Sequence, residues 1–271
     1  MSAGSMVGRI ARALPDLARV SFAGAIAYRA EMAIWILTTL LPLIMLAMWN
    51  AVAEDGPIVG FDAGSLVRYF AINLLVRQLT SSWLVWELNY EIRTGRLSTK
   101  LLKPMHPFVQ HGMDTVVAMP LRVAILIPIL GLLFGWRPDA WRTPSPVEAA
   151  LFVGSIAAAW TLNFLIQALI ATGAFWIDKS DSVFAVWFAV WAPLSGYIAP
   201  IAMFPDWAQP IVRSLPFFGT LGLPVELLGG FVSVRDAALP LAIQLGWVGA
   251  MFGLVAFAWR RGIARYGAYG A

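Results

Sequence analysis

The 271-residue chain has no cysteine and only two histidines, His106 and His111. The first absence removes disulfides, thiolate metal sites and cysteine nucleophiles. The second leaves too few imidazoles for a metal centre built on histidine. Charge is scarce as well: Asp, Glu, Lys and Arg make up 13% of the residues, against about 25% in a soluble domain. No G-x-x-x-x-G-K-[ST] phosphate loop occurs, no His-Glu-x-x-His and no Gly-x-Ser-x-Gly, so the common routes to nucleotide binding, zinc proteolysis and serine hydrolysis have no motif. Ser180 and Asp181 adjoin, but neither histidine is near them in sequence. No internal repeat of solenoid length is visible.

What the chain has instead is apolar length. Hydrophobic residues make up 60% and the mean hydropathy is +0.75. Residues 1–30 set Arg9, Arg12, Arg19 and Arg29 among apolar positions, and from Asp16 onward Leu17, Val20 and Ala27 alternate with Arg19 and Tyr28. That pattern predicts a helix lying in the membrane interface. It lacks a compact apolar core followed by a small-residue cleavage site, so it is expected to be retained.

Six apolar stretches come next, at about 32–53, 65–86, 113–135, 147–176, 183–203 and 236–259, each near the roughly 20 residues that a spanning helix needs. Pro42 is expected to kink the first, and Pro120 and Pro128 to interrupt the third. Residues 204–230 are apolar but too rich in proline and glycine for one helix. They predict two short broken helices dipping into the outer leaflet, supported by neighbouring protein. The fold class is therefore an all-α membrane protein. It comprises the interfacial helix and one domain over 31–271, with six transmembrane helices and broken extracellular helices between spans five and six.

Orientation is set by the basic residues. Sixteen of the nineteen are arginine. They sit at the ends of apolar runs rather than on one soluble face, which argues against a nucleic-acid partner. With the N-terminus inside, twelve basic residues, all three lysines among them, fall in inner segments and four in outer ones. Both termini are then cytoplasmic.

The long charged segment between apolar stretches is 87–111, opening ELNYEIRTGRLSTKLLKPMHP. Gly95 can end the helix that enters it, and Pro104 can end the next helical turn. Between them Arg96, Lys100 and Lys103 fall at helical spacing beside an apolar stripe of Leu97 and Leu101, widened by Leu102 and Met105. This predicts a short amphipathic helix at the inner surface. It is either a basic loop resting on anionic lipid or a contact for a cytosolic partner.

Polar residues inside the spans are the other candidates. Arg77 and Arg122 come to similar depth if spans two and three form a hairpin, and an arginine there costs at least about 2.5–3.5 kcal/mol, so both should face protein or water. Either they line a translocation path for an anionic substrate, or they tie the bundle together through Asp114 or backbone carbonyls. Asn163 and Gln167, one turn apart in span four, and Asn73 with Arg77 suit interhelical hydrogen bonding. The thirteen tryptophans suit interface anchoring.

Glu87 and Glu91 on a helix end, then Gly95-Arg96-Leu97, Leu101-Leu102 and Pro104, resemble the signature of type-2 ATP-binding-cassette (ABC) exporter permeases. Pro200, Pro205-Asp206-Trp207, Leu215-Pro216 and Pro224 resemble that family's broken extracellular helices. Many members carry Gly-Thr-Leu-Glu where this chain has Gly95-Arg96-Leu97-Ser98; the form here is similar to a bacterial subgroup of short permeases that pair with themselves or with a sister subunit. The resemblance implies a non-catalytic permease in the bacterial inner membrane. A separate ATPase subunit would bind ATP and Mg and grip Glu87, Glu91, Gly95, Arg96, Leu97, Leu101, Leu102 and Pro104. No cofactor is expected on this chain. A stand-alone channel or secondary transporter would need buried acids, yet Asp114, Glu148 and Asp236 all lie near span ends. A membrane anchor for a complex would not need six kinked spans.

Overall fold

The computed structural model describes residues 40–177 and 180–268, with Arg19 and Phe22 as isolated positions. The interfacial helix expected over 1–30 and the first part of span one lie outside the described residues. Within them the chain is helical, with no strand. Three helices are long and apolar enough to cross a membrane, over Pro107–Trp136, Pro146–Phe175 and Ala238–Tyr266. The remaining apolar stretches form shorter helices.

Helix α1, Leu41–Val52, carries Pro42 in its first turn, where a missing N–H leaves no bond unmade. Helix α2, Ala63–Thr80, is capped by Asp62, whose carboxylate accepts from the Ser65 amide. Thirteen of its eighteen residues are buried, which makes it an internal post rather than a lipid-facing span. The stretch expected to run unbroken over 65–86 is interrupted at Ser81, Ser82 and Trp83, and α3 resumes over Leu84–Arg93. Hydroxyls compete for the backbone at this break: Thr80 donates to the Val76 carbonyl at 2.9 Å and Ser81 to that of Gln78 at 3.2 Å, while Ser82 accepts from the Leu84 amide at 3.2 Å.

Gly95, with φ +76°, reverses the chain into the short helix α4, Leu97–Leu101. Helix α5, Pro107–Trp136, then runs 30 residues through both Pro120 and Pro128. The interruption expected at these prolines does not occur. A proline in a membrane helix gives up one backbone bond without ending the helix. At 1.5 Å per residue α5 is about 45 Å long, more than the ~30 Å hydrocarbon core requires.

Helix α6, Pro146–Thr172, begins at a capping box between Ser145 and Glu148 and packs against α2, α3 and the C-terminal helix. Helix α7, Asp181–Leu194, is shorter than the expected 183–203. Pro193 and the Ser195-Gly196 reversal, with Gly196 at φ +87°, end it. The broken segment contains three short helices rather than two: α8 Gln209–Ser214, α9 Pro216–Thr220 and α10 Gly222–Gly229. Helix α11, Ala238–Ala268, closes the bundle.

Three apolar cores result among the described residues. One packs α2 against α7 and α10 through Phe61, Tyr69, Phe70, Trp191 and Tyr197. The second packs α3, Leu97 and α6 against α11. The third joins α8, α9 and α10 through Val212, Phe218, Leu223 and Leu227. Exposed apolar side chains such as Ile127, Leu132, Leu245, Phe252 and Phe257 cover the outsides of α5 and α11, the faces a bilayer would solvate.

Candidate functional site

The end of α3, helix α4 and the start of α5 meet in one polar cluster. Glu87 and Glu91 stand one turn apart on α3, the spacing that puts two side chains on one helix face. His111, in the second turn of α5, is 2% exposed and sits between them. Its Nδ1 lies 2.9 Å from Glu87 Oε2 and its Nε2 3.2 Å from Glu91 Oε2. From α4, Lys100 Nζ reaches Glu91 Oε1 at 2.5 Å and His111 Nε2 at 3.2 Å. Glu87 keeps half its side chain in solvent, whereas Glu91 is 13% exposed.

Burial works against the Glu91 charge, but hydrogen bonds from His111 and Lys100, with their charges, hold its carboxyl below the ordinary glutamate range. The two His111 nitrogens face different carboxylates on opposite sides of the ring. They therefore do not converge on one metal position, and no metal-binding group occurs among the described residues.

The sequence-derived segment is assembled in a particular way. Gly95 supplies the positive-φ turn, and Leu97 is fully buried against Ile92 and Phe175. Arg96 lies over the Tyr90 ring at 5.4 Å. Leu101 is partly exposed and Leu102 is 87% exposed. Pro104 comes after the helix in an exposed turn, and the ring of His106 accepts from the Phe108 amide at 3.2 Å as α5 begins. The basic stripe expected from Arg96, Lys100 and Lys103 is split: Lys100 turns inward to Glu91, while Arg96 and Lys103 stay exposed. A shallow recess of about 380 Å³ opens between Glu87, Tyr90, Glu91, Arg96, Thr99 and Lys100.

His111 was the residue missed from the sequence. Nothing in its spacing to Glu87 or Glu91 suggests contact. The signal available was a histidine in a chain with only two, one turn beyond a helix-starting proline.

The intramembrane polar residues separate into two groups. Arg122 is 5% exposed and donates to the Ser81 carbonyl and hydroxyl, both at 2.8 Å. Asn163 donates to the Thr80 carbonyl at 2.6 Å. Both therefore serve the acceptors released where α2 stops. Arg77, one turn before the break, lies over the Trp191 ring at 5.3 Å and hydrogen-bonds the Tyr197 hydroxyl. Gln167 is buried, with its Oε1 unpartnered. Asn73 joins Tyr69 in donating to the Gly196 carbonyl, at 3.0 and 2.7 Å.

Compared with known families, residues 33–270 match the family model described as ABC-2 family transporter protein. No curated protein and no solved structure matches the chain.

Proposed function

The chain belongs to the ABC-2 transporter family, and from that premise we propose that it is the permease subunit of an exporter driven by a separate ATPase. It crosses the bacterial inner membrane six times with both termini cytoplasmic. It dimerises with itself or a sister permease, and the substrate path lies between the two permeases. ATP and Mg are bound by the ATPase, so this chain contributes shape and coupling rather than catalysis. Nucleotide-driven closure of the ATPases moves the 87–111 segment. The permeases then exchange inward-open and outward-open arrangements, a rigid-body change powered by differential nucleotide binding.

The observation that carries this reading is the exposure of Leu101 and Leu102 on a helix otherwise tied down by Leu97, Lys100 and Glu91. Apolar side chains presented from a firmly held turn suit insertion into a groove on a partner. Orientation from the basic residues puts that turn on the cytoplasmic side. Glu87, Gly95, Arg96 and Pro104 shape the turn around them.

Arg122 and Asn163 take the structural role at the helix break, supported by their bonds to Ser81 and Thr80. Arg77 and Gln167 retain the path-lining assignment, supported by the unpartnered Arg77 Nε and Gln167 Oε1.

Affinity purification of the tagged chain from its native membrane tests the main reading. An ATPase subunit should co-purify with wild type and be lost on Leu101→Asp and on Glu91→Lys. Transport by the purified chain in vesicles free of any ATPase would overturn it.

A further inference from the structure

The cluster around His111 has an unequal charge sum that a second imidazole proton balances. Glu87 and Glu91 bring two negative charges and Lys100 one positive. With a neutral ring the group carries a net −1, shared between Glu87, which keeps half its side chain in solvent, and the mostly buried Glu91. A second ring proton brings the sum to zero. Of the other charged groups nearby, Arg96 lines the same recess as Glu87, Glu91 and Lys100 and lies over the Tyr90 ring. On α5 itself the nearest is Asp114, three residues on, and α6, which approaches α5 at Gly112 through Trp160 and Phe164, carries no titratable residue there.

Hydrogen bonding leads the same way. Both ring nitrogens face carboxylate oxygens, which only accept. A neutral ring has one N–H. If that proton is on Nδ1, toward Glu87, the bare Nε2 stands 3.2 Å from Glu91 Oε2, acceptor against acceptor. Lys100, whose ammonium has three N–H donors, can then donate to Nε2 while it keeps Glu91 Oε1, but the ring's own bond to Glu91 is lost. A doubly protonated ring donates to Glu87 and Glu91 at once and leaves Lys100 wholly to Glu91 Oε1. In that state Glu91 bridges α4 and α5, and α3, α4 and α5 are locked into one body.

Resting on the exporter reading above, we infer that His111 is the positioning residue for the coupling helix, and that its doubly protonated form sets α4 in the orientation an ATPase engages. Loss of one ring proton removes one of the two ring–carboxylate bonds that tie α5 to α3, the helix to which Lys100 holds α4, and weakens transmission without removing any contact surface. Imidazole is the side chain whose ordinary titration falls near neutrality, so coupling strength varies with cytoplasmic pH. Arg122 adds a distant positive influence at Glu87 but does not touch the ring.

The test uses the full chain with its co-purified ATPase in lipid vesicles. The readout is permease-stimulated ATP hydrolysis, divided by that of the ATPase alone, between about pH 6 and pH 8.5. Wild type should lose up to roughly tenfold of its stimulation as pH rises, the value of one charge-assisted hydrogen bond. His111→Gln, with one donor and one acceptor and no titration, should give a flat profile at the low level. Adding Lys100→Met to His111→Gln also cuts the tie of α4 to Glu91 and should lower the stimulation further. Independently of the ATPase, the nitrogen chemical shifts of the two labelled histidines, separated with His106→Gln, should report a doubly protonated His111 at neutral pH. A His111→Gln profile with the wild-type slope, or a neutral His111 ring at pH 7, overturns the inference. Absence of any co-purifying ATPase with wild type instead overturns the exporter reading, and the histidine spectra still decide the protonation state.

Discussion

The two ends of this bundle are held together by different chemistry. At the end that the proposed orientation turns inward, α3, α4 and α5 meet through Glu87, Glu91, Lys100 and His111, where every polar contact involves a titratable group. At the opposite end, outer in that orientation, the three short helices are pinned mainly by uncharged groups. Gln244 donates to the Ser155 and Gly219 carbonyls at 3.0 and 2.7 Å, Trp191 to the Thr220 hydroxyl at 2.7 Å and Trp247 to the Ser214 carbonyl at 2.9 Å. One ion pair joins them. Arg213 grips both oxygens of the buried Glu226, at 2.6 and 2.9 Å. The outer assembly has the groups of a fixed plug, most of which do not titrate. The inner one has the groups of an adjustable joint.

The largest expected effect breaks the outer end. Arg213→Met leaves the Glu226 carboxylate buried without its partner and should destabilise the protein by about 3–5 kcal/mol, whereas Arg213→Met with Glu226→Leu should recover most of that loss. Thermal unfolding in detergent measures both; an equal loss in single and double variants would mean that the pair does not act as a unit. The next effect lies between the two ends, at the break after α2. Asn163→Ala removes the donor to the Thr80 carbonyl and should lower stability by about 1–2 kcal/mol. If unfolding is unchanged, the break is satisfied in some other way and Asn163 is free for the path.

The smallest effect sharpens the contrast in pH response. Because the Glu91 carboxyl is held below its ordinary range in the fold, its contribution is complete above that range and is lost as pH falls through it. Stability should therefore decline on acidification in wild type, and less so in Glu91→Gln. Equal declines would remove Glu91 from the joint. Variants at Gln244 should show no change in acid response, since that side chain does not titrate.

Much of the inner segment was legible because its signals are local. Gly95 tolerates positive φ without a Cβ clash, and Pro104 cannot continue a helix, so those two residues set the limits of α4. Leu97 and Leu101 could be placed on one stripe by spacing, but that spacing could not separate a buried leucine from an exposed one. Burial depends on whether Phe175 and Ile92 stand opposite. Prolines misled in both directions. Pro120 and Pro128 sit inside a continuous helix, while the unremarkable Ser81-Ser82 pair marks a true break.

Composition and periodicity by themselves determined a helical chain made for a bilayer, its basic residues mostly at the ends of apolar runs and a charged segment set between them. These features come from solvation, which each stretch meets on its own. The tertiary structure alone decided that α2 is an internal post, that Arg122 and Asn163 serve freed carbonyls, and that His111 lies between two glutamates. Those outcomes need side chains from separate helices to arrive at the same place. Pair distances between helices are set by how the whole bundle packs, and no local stretch of sequence carries that information.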